Sequence, residues 1–512
     1  MSRNLRTLSI IVLAGFLARA LAIWITRPEF VGWFNHSYYY WVQVQGLLRD
    51  GRLPFEDLPL LFAVYGAGAS LLQVFGLEAA PAIVNTTRFV MSLVPALVAV
   101  PVYGILKGIC RDRALGPRQW VLVAASAFLP LTLVHMPELL QKNCAGVLLL
   151  ACLLFVAQRF VRSRSKAALL ACLAVAALIA VTHVGTLAVT ALFAVAMVLA
   201  SMLERAGRRQ TGWGLALVLA GVGGAGLAVY TLDTGAFERA LLYARSSLPS
   251  SLLGNLLASA PVIDRPMATL GVLVPLAGFA GLVWLYRRKR ADLDVPDRVF
   301  WLGNTLFAYL LVLPVFDLDV VPRFVLFLPL PALVVLGFVL AHHAKGRLGA
   351  VLVGISALGV AALLLGETMN LALREPNKDA VHAELLALKQ RHRLGRDDFV
   401  LARYGVTPIC NWFLGTRAGL ITSFRERDLR VHERVFVLNP RQGALGPEPG
   451  PGGRAGEFRE KRAYWTTRRN VVLPDDAEPF AGTEHVDLYE LHALPDNWVL
   501  DDAGRWIGYS GE

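Results

Sequence analysis

The chain has 512 residues, 55% of them hydrophobic and only 17% charged, with a formal net charge of +12. So few charges cannot cover the apolar surface of a water-soluble protein of this size. Repeated apolar runs of about 17–25 residues match the thickness of a bilayer core and predict a polytopic α-helical membrane protein with about 11 spans. The basic excess does not point to nucleic acid, because it lies in short loops between spans: Lys107, Arg111, Arg113 and Arg118; Arg159, Arg162, Arg164 and Lys166; Arg205, Arg208 and Arg209; and Arg287 to Arg290 around Lys289. That distribution is the signature of cytoplasmic loops. Of the five cysteines, four lie in or beside predicted spans and Cys410 stands alone in a polar tail, so no disulfide framework is expected.

Taken in order, the apolar run at 8–26 predicts a retained first helix rather than a cleaved leader, with Arg3 and Arg6 inside and Arg19 either snorkelling or facing other helices. A first external loop follows over 27–81. Its apolar stretch 58–76 carries Gly66, Gly68, Gln73 and Gly76, and crossing there would place every basic cluster outside. It therefore reads as a shallow or re-entrant helix on the outer side. Spans are predicted at 82–107, 119–137 and 143–160. The run 167–203 is too long for one helix and breaks at His183-Val184-Gly185 into a tight external hairpin. Further spans fall at 213–232, 267–287, 299–316, 324–342 and 348–366, with a later external loop over 233–266. Residues 1–366 thus read as a transmembrane domain and 367–512 as an extracytoplasmic α/β domain. In the latter, NKDAVHAELLALKQRH is a helix, and FVLARYG, ERVFVLNP and HVDLYELH are strands.

Unusual polar residues gather on the outer side. The first loop holds Glu29, Asn35, His36, Tyr38 to Tyr40, Glu56 and Asp57. The second external turn holds His135, Glu138, Lys142 and Asn143, and the hairpin holds Thr182 and His183. Asp317, Asp319 and Arg323 mark the outer edge of a late span. Each also has a plainer reading: Tyr38 to Tyr40 and Trp41 as an interfacial aromatic belt, His183 as a helix-end partner, Glu138 as a solvated turn residue, Arg323 as a snorkelling side chain. Their convergence from four segments on one face favours a site for a lipid with a phosphate head. An arginine fork holds phosphate oxygens, and carboxylates hold a divalent cation or take an acceptor's proton.

With these residues in place, the chain resembles the GT-C superfamily of polyprenyl-phosphate-dependent glycosyltransferases, and in particular the catalytic subunit of oligosaccharyltransferase. The order of parts is similar over nearly the whole chain. PRFVLFLPLPALVVLGF is similar to the family's Arg-Phe motif, ELLQKNCAGVLLL to its acidic second-loop motif, and GRLPFEDLP to a first-loop pattern. The resemblance implies a membrane glycosyltransferase of a cytoplasmic (inner) membrane. Its donor would be a polyprenyl-(di)phosphate-linked sugar and its acceptor would lie on the extracytoplasmic face, with no nucleic-acid partner. Arg323 and His183 would hold the donor phosphate. Glu138, Asp57, Glu29 and His36 would supply catalytic groups, Glu138 and Asp57 would hold a divalent cation such as Mn²⁺ or Mg²⁺, and Asn35 and Tyr38 would line the acceptor side. Where the family carries a first-loop aspartate, this chain has Asn35-His36, and its tail lacks the family's Trp-Trp-Asp motif. That departure leaves a second reading, a protein that binds lipid-linked saccharides without transferring them. A transporter is disfavoured by the absence of internal repeats.

Overall fold

Helices formed by the apolar runs are the main element of the computed structural model. It describes residues 3–26, 36–55, 57–111, 113–128, 140–204, 286–287, 293–312, 326–342, 378–402, 406–420, 424, 427–441, 473, 477–495, 498–500 and 506–508. In chain order the helices are α1 Arg3–Thr26, α2 His36–Asp50, α3 Leu60–Val74, α4 Ala79–Ala96, α5 Ala99–Ile109, α6 Pro117–Ala127, α7 Gln141–Ser163, α8 Lys166–Ala180, α9 Val184–Leu203, α10 Val295–Val312 and α11 Pro329–His342. After these come α12 Lys378–His392, β1 Asp398–Ala402, α13 Thr407–Leu414, β2 Arg417–Gly419, α14 Asp428–Val431, β3 Arg434–Pro440, β4 Ala481–Gly482, β5 Val486–Glu490, β6 Trp498–Leu500 and β7 Trp506–Gly508. Two compact units emerge. Among the described residues the first holds α1, the last turn of α2 and α3 to α11, and the second holds residues 36–46 and everything from α12 onward.

Four stretches of the first unit are long and apolar enough to cross a membrane: Arg3–Ile25, Ala79–Ile109, Gln141–Ser163 and Val184–Leu203. The second of these stretches, expected to be one continuous helix, is interrupted by prolines. The predicted span 82–107 is two helices parted at Leu97 and Val98, with Pro95 inside α4 and Pro101 in the first turn of α5. Each proline lacks an N–H and crowds the carbonyl four residues earlier, so the helix changes course there. The expected hairpin is present, with α8 ending at Ala180 and α9 starting at Val184. The stretch 58–76 forms α3, fifteen residues long and so about 22 Å, too short to span. The predicted spans 213–232 and 348–366, and 267–287 up to its last two residues, lie outside the described residues.

Close helix approach in this unit depends on small residues, as expected where apolar burial alone does not hold helices together. Gly68 of α3 faces Thr86 of α4, and an added Cβ would lie 2.5 Å from Thr86 Cγ2. Gly15 of α1 meets the Ala127 carbonyl, and Gly104 of α5 meets the Phe155 ring of α7. Arg19 does not snorkel. It is fully buried and donates to the Gly15 carbonyl at 3.1 Å and the Ala127 carbonyl at 2.6 Å, so α1 satisfies the last turn of α6.

The second unit is an α/β fold on a five-stranded sheet of order β2-β1-β3-β5-β4. β1 runs parallel to both β2 and β3, and β5 is antiparallel to β3 and β4. The central strands are near-continuous apolar runs (Val400, Leu401 and Ala402; Val435 to Leu438), all buried, as expected of a sheet covered on both faces. α12 buries Val381, Leu385 and Leu388, spaced four and three residues apart on one helical stripe. A two-bond Arg434–Asp398 pair (2.8 and 3.0 Å) joins register partners at the start of β1 and β3. The predicted helix 377–392 and the three predicted strands correspond to α12, β1, β3 and β5.

Candidate functional site

One end of the first unit gathers three of the segments that the sequence singled out. α7 begins at Gln141, and its first turn is buried: Gln141, Lys142 and Asn143 are 1%, 7% and 6% exposed. The Lys142 ammonium forms an ion pair with the Asp57 carboxylate and lies 4.9 Å from the centre of the Phe62 ring. Asp57 Oδ1 also accepts from the Leu58 N–H at 2.7 Å, which fixes the carboxylate just before α3. Tyr65, fully buried one turn further along α3, donates from its hydroxyl to Gln141 Oε1 at 2.8 Å. The end of the first loop is thereby tied to the start of α7.

The turn between α8 and α9 joins the same end. The Leu60 N–H donates to the Val181 carbonyl at 3.4 Å, linking α3 to that turn. His183 is the N-cap of α9, its Nδ1 accepting from the Thr186 N–H at 3.2 Å with Thr186 Oγ1 3.0 Å away. A neutral ring in this role carries its proton on Nε2. Gly146 of α7 packs directly on Thr186, so α7 and α9 hold the cap between them. Asp57 and His183 are thus brought to one end of the unit. Lys142 and Asn143, which the sequence reading noted in the second external turn while giving the chemical role there to Glu138, stand at its centre. The ion pair that makes Lys142 central joins segments far apart in the chain, and no local pattern announces it.

At the other end of α7, about 30 Å away for a helix of this length, the basic loops meet their counter-ions. Arg162 pairs with the buried Asp297 and donates to the Gly108 carbonyl at 2.5 Å. Arg111 reaches Asp294 at 3.4 Å, and Arg298 reaches Glu204 at 3.1 Å. Acids from α10 and the residues before it so neutralise part of the cluster read as cytoplasmic loops.

Residues 36–46 of the aromatic first-loop stretch belong to the second unit. His36 opens α2. Tyr38 is 2% exposed, with its hydroxyl 3.5 Å from His382 Nε2 and its ring tilted against Phe413 at 5.5 Å. Trp41, 3% exposed, lies 4.9 Å from Tyr38 and 5.4 Å from Trp412. These rings form core, which explains a loop so rich in aromatics without recourse to a membrane belt. Among the described residues, the acid and histidine group with metal-like spacing is also in this unit: Glu384, Glu484 and His485. There Glu384 accepts from Thr483 Oγ1 at 2.5 Å and the His485 N–H at 3.1 Å, and meets His485 Nδ1 at 2.7 Å. Burial raises the Glu384 carboxyl, but these hydrogen bonds from Thr483 and His485 outweigh it and hold the group below the usual carboxylate range. The arrangement clamps α12 to the turn between β4 and β5. Glu29, Asn35, Glu138 and Arg323 lie outside the described residues.

No family model and no curated protein matches the chain. Solved structures do. The chain is similar to the archaeal oligosaccharyltransferase AglB from Archaeoglobus fulgidus in complex with an inhibitory peptide and a dolichol-phosphate (11% identity, 85% of this chain and 69% of that one, TM-score 0.53). It is similar to the Archaeoglobus fulgidus oligosaccharyltransferase in complex with Zn and sulfate (12% identity, 84% and 67%, TM-score 0.53). It is similar to ArnT from Cupriavidus metallidurans bound to undecaprenyl phosphate (12% identity, 93% and 97%, TM-score 0.53). At such identities the likeness is one of fold, and this chain has the fold of the GT-C glycosyltransferases. The resemblance drawn from its sequence holds at that level.

Proposed function

We propose that this chain is a multi-pass glycosyltransferase of a cytoplasmic membrane. It moves a sugar or oligosaccharide from a polyprenyl-phosphate or diphosphate donor to an acceptor on the extracytoplasmic face, where the second unit also lies. The observation that supports this most is the meeting of Asp57, the first turn of α7 and His183 at one end of a GT-C fold. In transfer, the bond between the anomeric carbon and the donor phosphate oxygen breaks and the leaving phosphate keeps the electron pair. The acceptor bonds to that carbon and gives up its proton. Asp57, with Glu138 or Glu29, takes the proton, and the Nε2–H of His183 with Arg323 binds the phosphate. Tyr38, expected on the acceptor side with Asn35 and His36, is instead packed in the core of the second unit.

A divalent cation on Glu138 and Asp57 would neutralise phosphate charge. Among the described residues, however, Asp57 faces an ammonium, and that donor set does not fit a cation while the ion pair is closed. Opening that pair is required before a cation can bind Asp57. The test is transfer from radiolabelled polyprenyl-linked sugars in reconstituted membranes, comparing wild type with Arg323→Ala and Glu138→Ala, with and without Mn²⁺ or Mg²⁺. Label passed to a new acceptor by wild type and lost in both variants supports the reading. Arg323-dependent donor binding with no transfer would instead establish a saccharide-lipid-binding protein, a reading that Asn35-His36 at the family's aspartate position favours.

A further inference from the structure

Lys142 stands where a helix disfavours a cation. The first turn of α7 carries the positive end of the helix dipole, its N-cap is the apolar Leu140, and no side chain caps it. An anion belongs at such a place. Here a lysine occupies it, buried to 7% exposure, with the Asp57 carboxylate brought from the first loop to neutralise it. The ammonium is fixed on a 23-residue helix and against the Phe62 ring, whereas Asp57 stands on the loop before α3. In the same turn, Asn143 is 6% exposed and its buried Oδ1 has no hydrogen-bond partner among the described residues. Both side chains stand in the first, uncapped turn of α7. A ligand with a negative group beside a hydroxyl donor answers both features, and a sugar phosphate has both.

We infer that Lys142 binds the phosphate of the lipid-linked donor, with Asn143 accepting from a sugar hydroxyl, and that Asp57 is the internal counter-ion the phosphate displaces. The inference rests on the glycosyl-transfer reading above and deepens it. Phosphate binding and release of the Asp57 carboxylate become one event, so the group that takes the acceptor's proton is freed when the donor arrives.

The experiment uses the full chain in nanodiscs, titrated with undecaprenyl phosphate and, separately, with inorganic pyrophosphate, and assayed in parallel for sugar transfer. Lys142→Met is expected to weaken undecaprenyl phosphate binding by at least about tenfold, the loss of a charge-assisted contact, while Lys142→Arg restores most of it. Asp57→Asn is expected to tighten binding about threefold or more, because the competing closed state is removed, while abolishing transfer. A merely structural ion pair predicts the opposite for Asp57→Asn: weaker or unchanged binding. If Lys142→Met unfolds, the Asp57→Asn and Lys142→Arg titrations still decide. Wild-type transfer with binding indifferent to Lys142 and Asp57 would overturn the inference and leave the glycosyl-transfer reading standing. Wild type that neither binds the lipid phosphate nor transfers sugar would overturn both. Lys142-dependent binding of pyrophosphate alone would keep the phosphate site and reject a lipid donor.

Discussion

Replacing Gly146 with alanine tests whether α7 and α9 truly share the His183 cap. A Cβ at this position falls against Thr186 Oγ1 and 3.0 Å from Thr186 Cβ and Cγ2. Those atoms belong to a β-branched side chain with little rotamer freedom. Either the helices part or Thr186 rotates away from His183. Overpacking of this kind costs about 1–3 kcal/mol, and losing the cap costs a further 0.5–2 kcal/mol or so. Removing a helical glycine returns about 1 kcal/mol, so the net loss is about 0.5–4 kcal/mol. Equilibrium unfolding in mild detergent measures it. The double variant Gly146→Ala/Thr186→Ala removes Oγ1, the nearest clashing atom, and Cγ2, and its loss should fall short of the sum of the single losses by about 1 kcal/mol or more. A Gly146→Ala protein as stable as wild type, or strict additivity in the cycle, would refute the packing argument.

Trp41→Ala removes a ring wedged between Tyr38 and Trp412 and should destabilise the second unit by about 3–5 kcal/mol, seen as accelerated hydrogen exchange in β1 and β3. A residue of an interfacial belt would leave that exchange unchanged. Arg19→Met keeps side-chain bulk but leaves the Ala127 carbonyl without its donor, at a cost of about 1–3 kcal/mol; detergent unfolding with no loss would show the contact to be incidental. Acid should weaken the second unit in two stages. Burial and nearby arginines hold His392 and His432 below the ordinary histidine value of 6.5. The unfolded chain therefore binds their protons first, and stability is full above 6.5 and lost as pH falls below it. Glu384, held below its ordinary 4.5, contributes stability that is present above that value and lost as pH falls through its folded value. Hydrogen exchange in β3 and β5, corrected for intrinsic rate, should follow both stages in wild type and only the first in Glu384→Gln. A second stage that persists in that variant would exclude Glu384 as its source.

Local pattern encodes the position and type of single elements. Apolar runs located helices, the His183-Val184-Gly185 break located a hairpin, and the short apolar run in ERVFVLNP with the alternation in HVDLYELH located paired strands, because side-chain pattern fixes which faces of an element are buried. Pro95 and Pro101 carried the signal that splits the 82–107 run, although overall hydropathy masked it. The tertiary structure alone decided that the aromatics of residues 36–46 are core of the second unit, and that Arg19 faces inward to close another helix's last turn. It also decided that Asp57 and Lys142 form one buried pair. Hydropathy measures what a segment must hide and is silent about which distant segment hides it. A lone lysine in a polar turn looks solvated until the fold sets a helix dipole behind it, an aromatic ring beside it and a carboxylate against it.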